Sequence, residues 1–193
     1  MEKKIKEIRV KELRALEDEE MTVEGYAVVY DSVTDLGWCK EVIDRNAFND
    51  CDMSDVCMKY NHLDNILIMA RTRNKSLELI NDEHGLKIRA KLIDTQNNKD
   101  IFKSIKAGLL DKMSFAFVVR KQEWDYETDT RTILSIEKLF DVSVVDVPAY
   151  DNTEIYARTK EEFEEDKRKY EEQKEQHRKL ELEKKKALAL LSL

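Results

Sequence analysis

Cysteine is scarce and unpaired in this chain. Cys39, Cys51 and Cys57 are odd in number and follow no C-x-x-C spacing, which argues against a disulfide framework and against a zinc knuckle. Reduced thiols are expected. Basic charge is not in excess either: 34 Lys and Arg stand against 41 Asp and Glu, a formal net charge of -7 with a pI near 5.2. Nonspecific nucleic-acid binding needs a basic face to release phosphate counterions, so that class of function is disfavoured. No apolar run approaches the roughly 20 residues that span a bilayer, and the N-terminus is Lys/Glu-rich where a signal peptide would be apolar. These absences point to a soluble, intracellular protein with neither nucleic acid nor membrane as partner. Histidine is limited to His62, His84 and His177, which bounds the choice of any imidazole base.

The 193 residues are enough for one domain with a real core plus an appendage. Met21 to Tyr30 is β-branched and aromatic and reads as a strand, with Gly25 where a bulge or close backbone approach would sit. Glu41-Val42-Ile43 resembles a short strand, and Asp44 can cap a helical turn through Phe48. A strand over Val56 to Tyr60 delivers His62 just past its end. Leu77 to Ile80, the polar turn Asn81 to Gly85 and the alternating run Leu86 to Leu92 form a hairpin. Asp94 or Thr95 then caps a helix with Ile101, Phe102, Ile105 and Leu109 on one face and Gly108 near its end.

The next strand, Met113 to Val119, places Ser114, Ala116 and Val118 on one face and Phe115, Phe117 and Val119 on the other. Ser114 leads the smaller face, where another group can approach. A polar turn, Asp125 to Arg131, leads to a strand over Thr132 to Ile136 and so to a second hairpin. Leu139 to Val145 reads as a separate, buried strand with Asp141 inside it, followed by the only proline, Pro148. Burying that carboxylate without compensating bonds costs several kcal/mol, so it faces solvent or meets a partner such as a histidine ring. The core is expected to close near Arg158.

Composition changes at Lys160. Residues 160–193 carry ten acidic and ten basic side chains, and the pairs Glu164 with Arg168, Glu165 with Lys169, Glu175 with Lys179 and Glu181 with Lys185 support a solvated helix. The sevenfold series Phe163, Tyr170, His177, Lys184 and Leu191 loses hydrophobicity halfway, so the helix reads as not amphipathic and strong self-pairing is not expected. Its last residues, Ala187 to Leu193, form an apolar stub. A partner surface, a membrane contact or a truncated continuation would each cover it, and a partner is favoured.

Two short segments carry chemistry: Tyr60-Asn61-His62-Leu63-Asp64 and Lys112-Met113-Ser114-Phe115-Ala116-Phe117. A serine hydroxyl is a poor nucleophile until an imidazole takes its proton, and His62 is the best placed of the three histidines, which suggests a serine hydrolase. Plainer readings exist: Ser114 as a small strand residue, His62 as a polar surface residue, Asp64 as a turn cap. Cys51, Cys57 and His62 could also supply three zinc ligands, yet they read more simply as small apolar side chains and a base; no metal or cofactor is expected. A cysteine protease built on Cys51 or Cys57 is weaker still, because neither thiol has a helix start or a basic neighbour.

In order along the chain, Gly25-Tyr26-Ala27, Glu41-Val42-Ile43 before Asn46-Ala47-Phe48, Asn61-His62-Leu63-Asp64, Gly85-Leu86, Gly108-Leu109 before Met113-Ser114-Phe115, and Asp141-Val142-Ser143-Val144-Val145 before Pro148-Ala149 resemble the prohead (capsid maturation) proteases of tailed bacteriophages. These are serine peptidases distantly similar to the herpesvirus assemblins. The resemblance spans residues 5–158. It departs at Ala116 and Ala70, where the family usually or often has glycine; each change adds only a methyl.

The resemblance implies Ser114 as nucleophile, His62 as general base and Asp141 as third member, with Asp64, Glu137 and His84 weaker candidates; assemblins use a second histidine, a part His84 would fill. Arg71 would help the oxyanion through water or form a salt bridge. It further implies a serine endopeptidase that works in the host cytoplasm inside the immature capsid. Its substrates would be scaffold, the major capsid protein and itself, and a homo-oligomer is possible. The alternative is a non-catalytic capsid-assembly scaffold protein with a protease-like domain. The fold expected is α+β: a mostly antiparallel β-barrel or curled sheet flanked by a few helices, His62 and Ser114 on neighbouring strands. Residues 1–159 would form the protease domain and 160–193 a charged helical tail, either a scaffold-like tether or a solvated extension.

Overall fold

The computed structural model describes residues 7–15, 21–146 and 160–191. The expectations placed on Pro148, Arg158 and the final two residues of the apolar stub lie outside them. Ten strands occur among the described residues: β1 (Glu7–Ala15), β2 (Thr22–Val29), β3 (Thr34–Asp35), β4 (Lys40–Ile43), β5 (Cys57–Tyr60), β6 (Ala70–Arg71), β7 (Leu77–Asn81), β8 (Gly85–Lys91), β9 (Lys112–Asp125) and β10 (Thr130–Val145). Two α-helices accompany them, α1 (Gln96–Lys106) and α2 (Lys160–Leu191). Hydrogen bonding runs β3-β4-β10-β9-β1-β2-β8-β7, with β5 on β10 and β6 on β5. Pairing is antiparallel except where β4 and β5 join β10 in parallel. The result is an α+β fold on a curled sheet that does not close into a barrel. No helix among the described residues is long and apolar enough to cross a membrane.

β1 is the strand that the Lys/Glu-rich N-terminus conceals. It pairs with β9 over Glu7 to Glu12 and with β2 over Leu13 to Ala15, so it joins the two halves of the sheet. Strand β2 carries a register shift between Tyr26 and Val28; the irregularity falls two residues beyond Gly25. A close approach occurs at Gly85, where a Cβ would meet the Val28 carbonyl oxygen at 2.0 Å. Asp44 accepts from Asn46 N (2.8 Å) and opens a run of turns instead of a helix. In α1, Thr95 is the cap, accepting from Asn98 N at 3.2 Å, and Ile101 and Ile105 are buried. Leu109 is 75% exposed, because Gly108 at φ +73° turns the chain off the helix before Leu109 can join that face.

β10 is one strand of 16 residues, not two, and its irregularities decide which face each residue meets. Phe117 opposes Leu139 and Ala116 opposes Asp141, so Phe140 is an extra residue between them. Directly opposed residues of an antiparallel pair share a face. Phe115, Phe117, Leu139, Val142 and Val144 therefore line the apolar side, where Phe115 stacks on Phe117 at 4.8 Å and meets Phe48 at 6.5 Å. Ser114, Ala116, Asp141 and Ser143 line the other. Without the bulge at Phe140, Asp141 would share the face of Leu139, inside the aromatic core.

At the far end of β10, Arg131 and its parallel partner Glu41 form a buried ion pair (3.1 Å), and Arg131 Nε donates to Gln122 Oε1 (2.7 Å). α2 does dock through one stripe. Tyr170, 6% exposed, packs on Trp38, Trp124 and Tyr126 at 5.4, 4.5 and 5.8 Å; His177 lies 5.0 Å from Tyr126; Tyr170 and Lys174 both bond Asp129. Beyond this stripe, most of residues 167–188 are exposed. Glu175 pairs with Lys179 (3.6 Å) as expected, whereas Glu181 meets Lys184 (2.8 Å), three residues on.

Deleting Phe140 should return Asp141 to the aromatic face, and urea denaturation should show a loss of several kcal/mol or no folded protein; an unchanged midpoint would contradict this account of the bulge. Acid should loosen α2: the bonds from Lys174 and Tyr170 hold the Asp129 carboxyl below its usual range. That stabilisation is complete above the ordinary carboxylate pKa near 3.9 and is lost as pH falls through the lower folded value. Fluorescence of Trp38 and Trp124 should change over that interval in the wild type, and Asp129→Asn should remove the transition.

Candidate active site

His62 follows β5 in a tight turn. Asn61 and His62 both have positive φ, 50° and 55°, and Leu63 N donates to Tyr60 O at 3.0 Å, the pattern of a type I′ turn. Asn and His are the residue types that tolerate the left-handed region better than most, yet a side chain there still carries strain. The turn is fastened to the end of β10 by Asn61 N donating to Val144 O (2.8 Å) and Asp146 N donating to Asn61 Oδ1 (3.2 Å). In this way the backbone fixes where the imidazole points.

It points at β10. His62 Nδ1 lies 2.5 Å from Asp141 Oδ1, and the Asp141 side chain is 0% exposed. Ser143, also 0% exposed, donates from Oγ to Asp141 Oδ1 at 2.9 Å and lies 3.2 Å from His62 Nδ1. Ser143 is the cross-strand partner of Ser114, which puts their Cβ atoms about 4.5–5.5 Å apart. His62 and Ser114 are thus not on neighbouring strands: β10 lies between β5 and β9, which is why its residues Asp141 and Ser143 sit between the imidazole and Ser114.

His62 Nε2 and Ser114 Oγ are two of three buried side-chain polar atoms without a hydrogen-bond partner among the described residues, the third being Asn97 Nδ2. An unpaired buried polar atom costs about 1–3 kcal/mol, so two of them in one neighbourhood call for an explanation in function. An imidazole with one nitrogen bound to a buried carboxylate and the other bare is arranged to accept a proton on the bare side.

The remaining candidates are placed elsewhere or paired otherwise. Asp64 bonds Lys59 Nζ at 2.5 Å. Glu137 is the extra residue at another β10 irregularity, where its carbonyl accepts from Asp52 N (2.9 Å). His84 sits in the β7–β8 turn, edge-on to Tyr26 at 4.6 Å, at the opposite edge of the sheet from β10. Arg71 forms a two-pronged salt bridge to Asp55, with Nη2 at 2.6 Å from Oδ2. No group of three or more His, Cys, Asp or Glu gathers as a metal site among the described residues.

Two neighbours of this cluster are not singled out by the sequence, although Ser143 stands in the Asp141-Val142-Ser143-Val144-Val145 run. Ser143 was legible only as the residue two after Asp141, hence on its face once both lie in one strand. Lys59 lies beside Ser143 in the parallel register and brings Nζ to 3.8 Å from Asp141 Oδ2. Burial works against its charge, but the bond to Asp64 and the Asp141 charge outweigh it and hold the ammonium above its usual range. Lys59 is therefore a fixed positive charge and no base.

The Cys51 thiol is pushed up to about 11 by burial, so little of it is thiolate near neutrality. Iodoacetamide at pH 8 should label Cys51 about a hundredfold more slowly than a free cysteine, as read by mass spectrometry of its peptide. Rapid labelling there would reopen the thiol reading.

A family model described as the caudovirus prohead serine protease matches residues 6–169. No curated protein matches the chain. Among solved structures, the bacteriophage T4 capsid assembly protease gp21 matches with a TM-score of 0.53 at 11% identity, over 75% of this chain and 98% of that one. At that identity the likeness is one of fold.

Proposed function

Since the chain belongs to the caudovirus prohead serine protease family, we propose that it is the serine endopeptidase of phage prohead maturation, acting on scaffold, the major capsid protein and itself within the immature capsid. In this reading Ser114 Oγ attacks the scissile carbonyl. His62 Nε2 takes the hydroxyl proton and returns it to the leaving amine, while Asp141 at Nδ1 holds the tautomer and stabilises the cation that forms. The observation that carries the reading is the 2.5 Å contact between His62 Nδ1 and a fully buried Asp141, with His62 Nε2 and Ser114 Oγ both left unpaired nearby. Unliganded active sites often hold such atoms apart until substrate draws them together. Ser114 is 1% exposed, so productive binding requires the groups over it to move.

α2 fits the same reading. Its Tyr170–His177 stripe holds it to the sheet, leaving a charged helix to engage scaffold and keep the enzyme among its substrates at high effective concentration.

The decisive experiment is co-expression with the cognate capsid and scaffold proteins, followed by intact-mass spectrometry. The wild type should trim them, and Ser114→Ala should lower the rate by at least about ten-thousandfold with the fold retained. Equal trimming by both would remove Ser114 from the mechanism. No trimming by either, with capsids assembling normally, would favour a non-catalytic scaffold protein.

A further inference from the structure

We infer that Ser143 is a positioning residue of the site: its hydroxyl donates to Asp141 and turns a lone pair toward His62 Nδ1, fixing the imidazole in the tautomer that keeps Nε2 bare. The inference rests on the assignment of Ser114, His62 and Asp141 above and adds a fourth side chain to it.

The argument is one of proton accounting. Asp141 is flanked by Lys59 Nζ at 3.8 Å from Oδ2, which favours the ionised carboxylate, and an ionised carboxylate only accepts hydrogen bonds. The Ser143 proton therefore goes to Asp141 Oδ1, 2.9 Å away. With that proton committed, Ser143 Oγ can meet His62 Nδ1, 3.2 Å away, only as an acceptor. Nδ1 thus faces two acceptors, Asp141 Oδ1 at 2.5 Å and Ser143 Oγ. An unprotonated Nδ1 would set lone pairs from three atoms against one another. The proton must reside on Nδ1, and Nε2 is left to receive one from Ser114.

The same geometry separates Ser143 from the nucleophile. Its hydroxyl addresses the nitrogen already engaged with Asp141, whereas the unengaged nitrogen and the unengaged hydroxyl belong to His62 Nε2 and Ser114. Asp141 and Ser143 share one face of β10 with only Val142 between them, so the strand itself sets the spacing between carboxylate and hydroxyl. A serine there braces the carboxylate against rotation.

Three measurements test this. Two-bond 1H–15N correlation spectra of the wild type should show the neutral His62 ring as the Nδ1–H tautomer; an Nε2–H tautomer would overturn the inference without recourse to any variant. On a synthetic peptide spanning a mapped cleavage site, Ser143→Ala should lower kcat about tenfold to a hundredfold with KM within twofold, and Ser143→Thr, which restores the hydroxyl, should recover most of the loss. A wild-type kcat in Ser143→Ala would sink the role of Ser143 while leaving Ser114 untouched. A fluorophosphonate probe should label Ser114; label on Ser143 would overturn both assignments, and full activity in Ser114→Ala would overturn the underlying reading alone.

Discussion

The contact between His62 Nδ1 and Asp141 Oδ1 is the interaction on which the arrangement depends. A carboxylate with no exposed surface is tolerable only with partners, and removing one member of a buried pair costs about 3–5 kcal/mol. The partners of Asp141 include the imidazole, the Ser143 hydroxyl and, farther off, the Lys59 ammonium. To reach them it must leave the aromatic side of the sheet, which the extra residue Phe140 achieves. His62 must turn back against left-handed preferences to meet it. Bulge and turn are both local departures from regular structure, and both serve the same 2.5 Å contact.

Elements whose hydrophobic pattern decides their fate were legible from the residues. The alternation of Leu86 to Leu92, the Thr95 cap and the Ile101–Ile105 spacing all lead directly to β8 and α1. His62, Ser114 and Asp141 were legible as chemical types, and so was the choice facing Asp141 between solvent and a partner. What resisted was whatever depends on distant pairing. β1 is charged along its length and becomes a strand because β9 and β2 flank it. β10 looked like two strands because its bulges break the period of two at Glu137 and Phe140. Its position between β5 and β9, and with it the role of Ser143, is a matter of strand order, which side-chain periodicity does not encode.

The C-terminal helix shows the same limit from another side. Its averaged composition is that of a solvated helix, and most of residues 167–188 are exposed. Three residues at i, i+4 and i+7, Tyr170, Lys174 and His177, nonetheless find an aromatic platform in Trp38, Trp124 and Tyr126 and a carboxylate in Asp129. A charged helix needs only one such stripe to be held. Trp124, Tyr126 and Asp129 belong to the β9–β10 hairpin and Trp38 to the β3–β4 connection; the buried Glu41–Arg131 pair braces the hairpin side, with the Arg131 guanidinium 5.9 Å from the Trp124 ring.

The scattering of the site along the chain sets its timing. His62 and Ser143 are 81 positions apart, and Ser114 reaches its place only when β10 has come to lie between it and the imidazole. A ribosome adding about 5–20 residues per second would need roughly 4–16 s to pass from one to the other. High contact order of this kind slows folding as well. A nascent chain ending before β10 therefore holds the imidazole without its carboxylate, and the His62–Asp141 pair forms only once β10 has emerged.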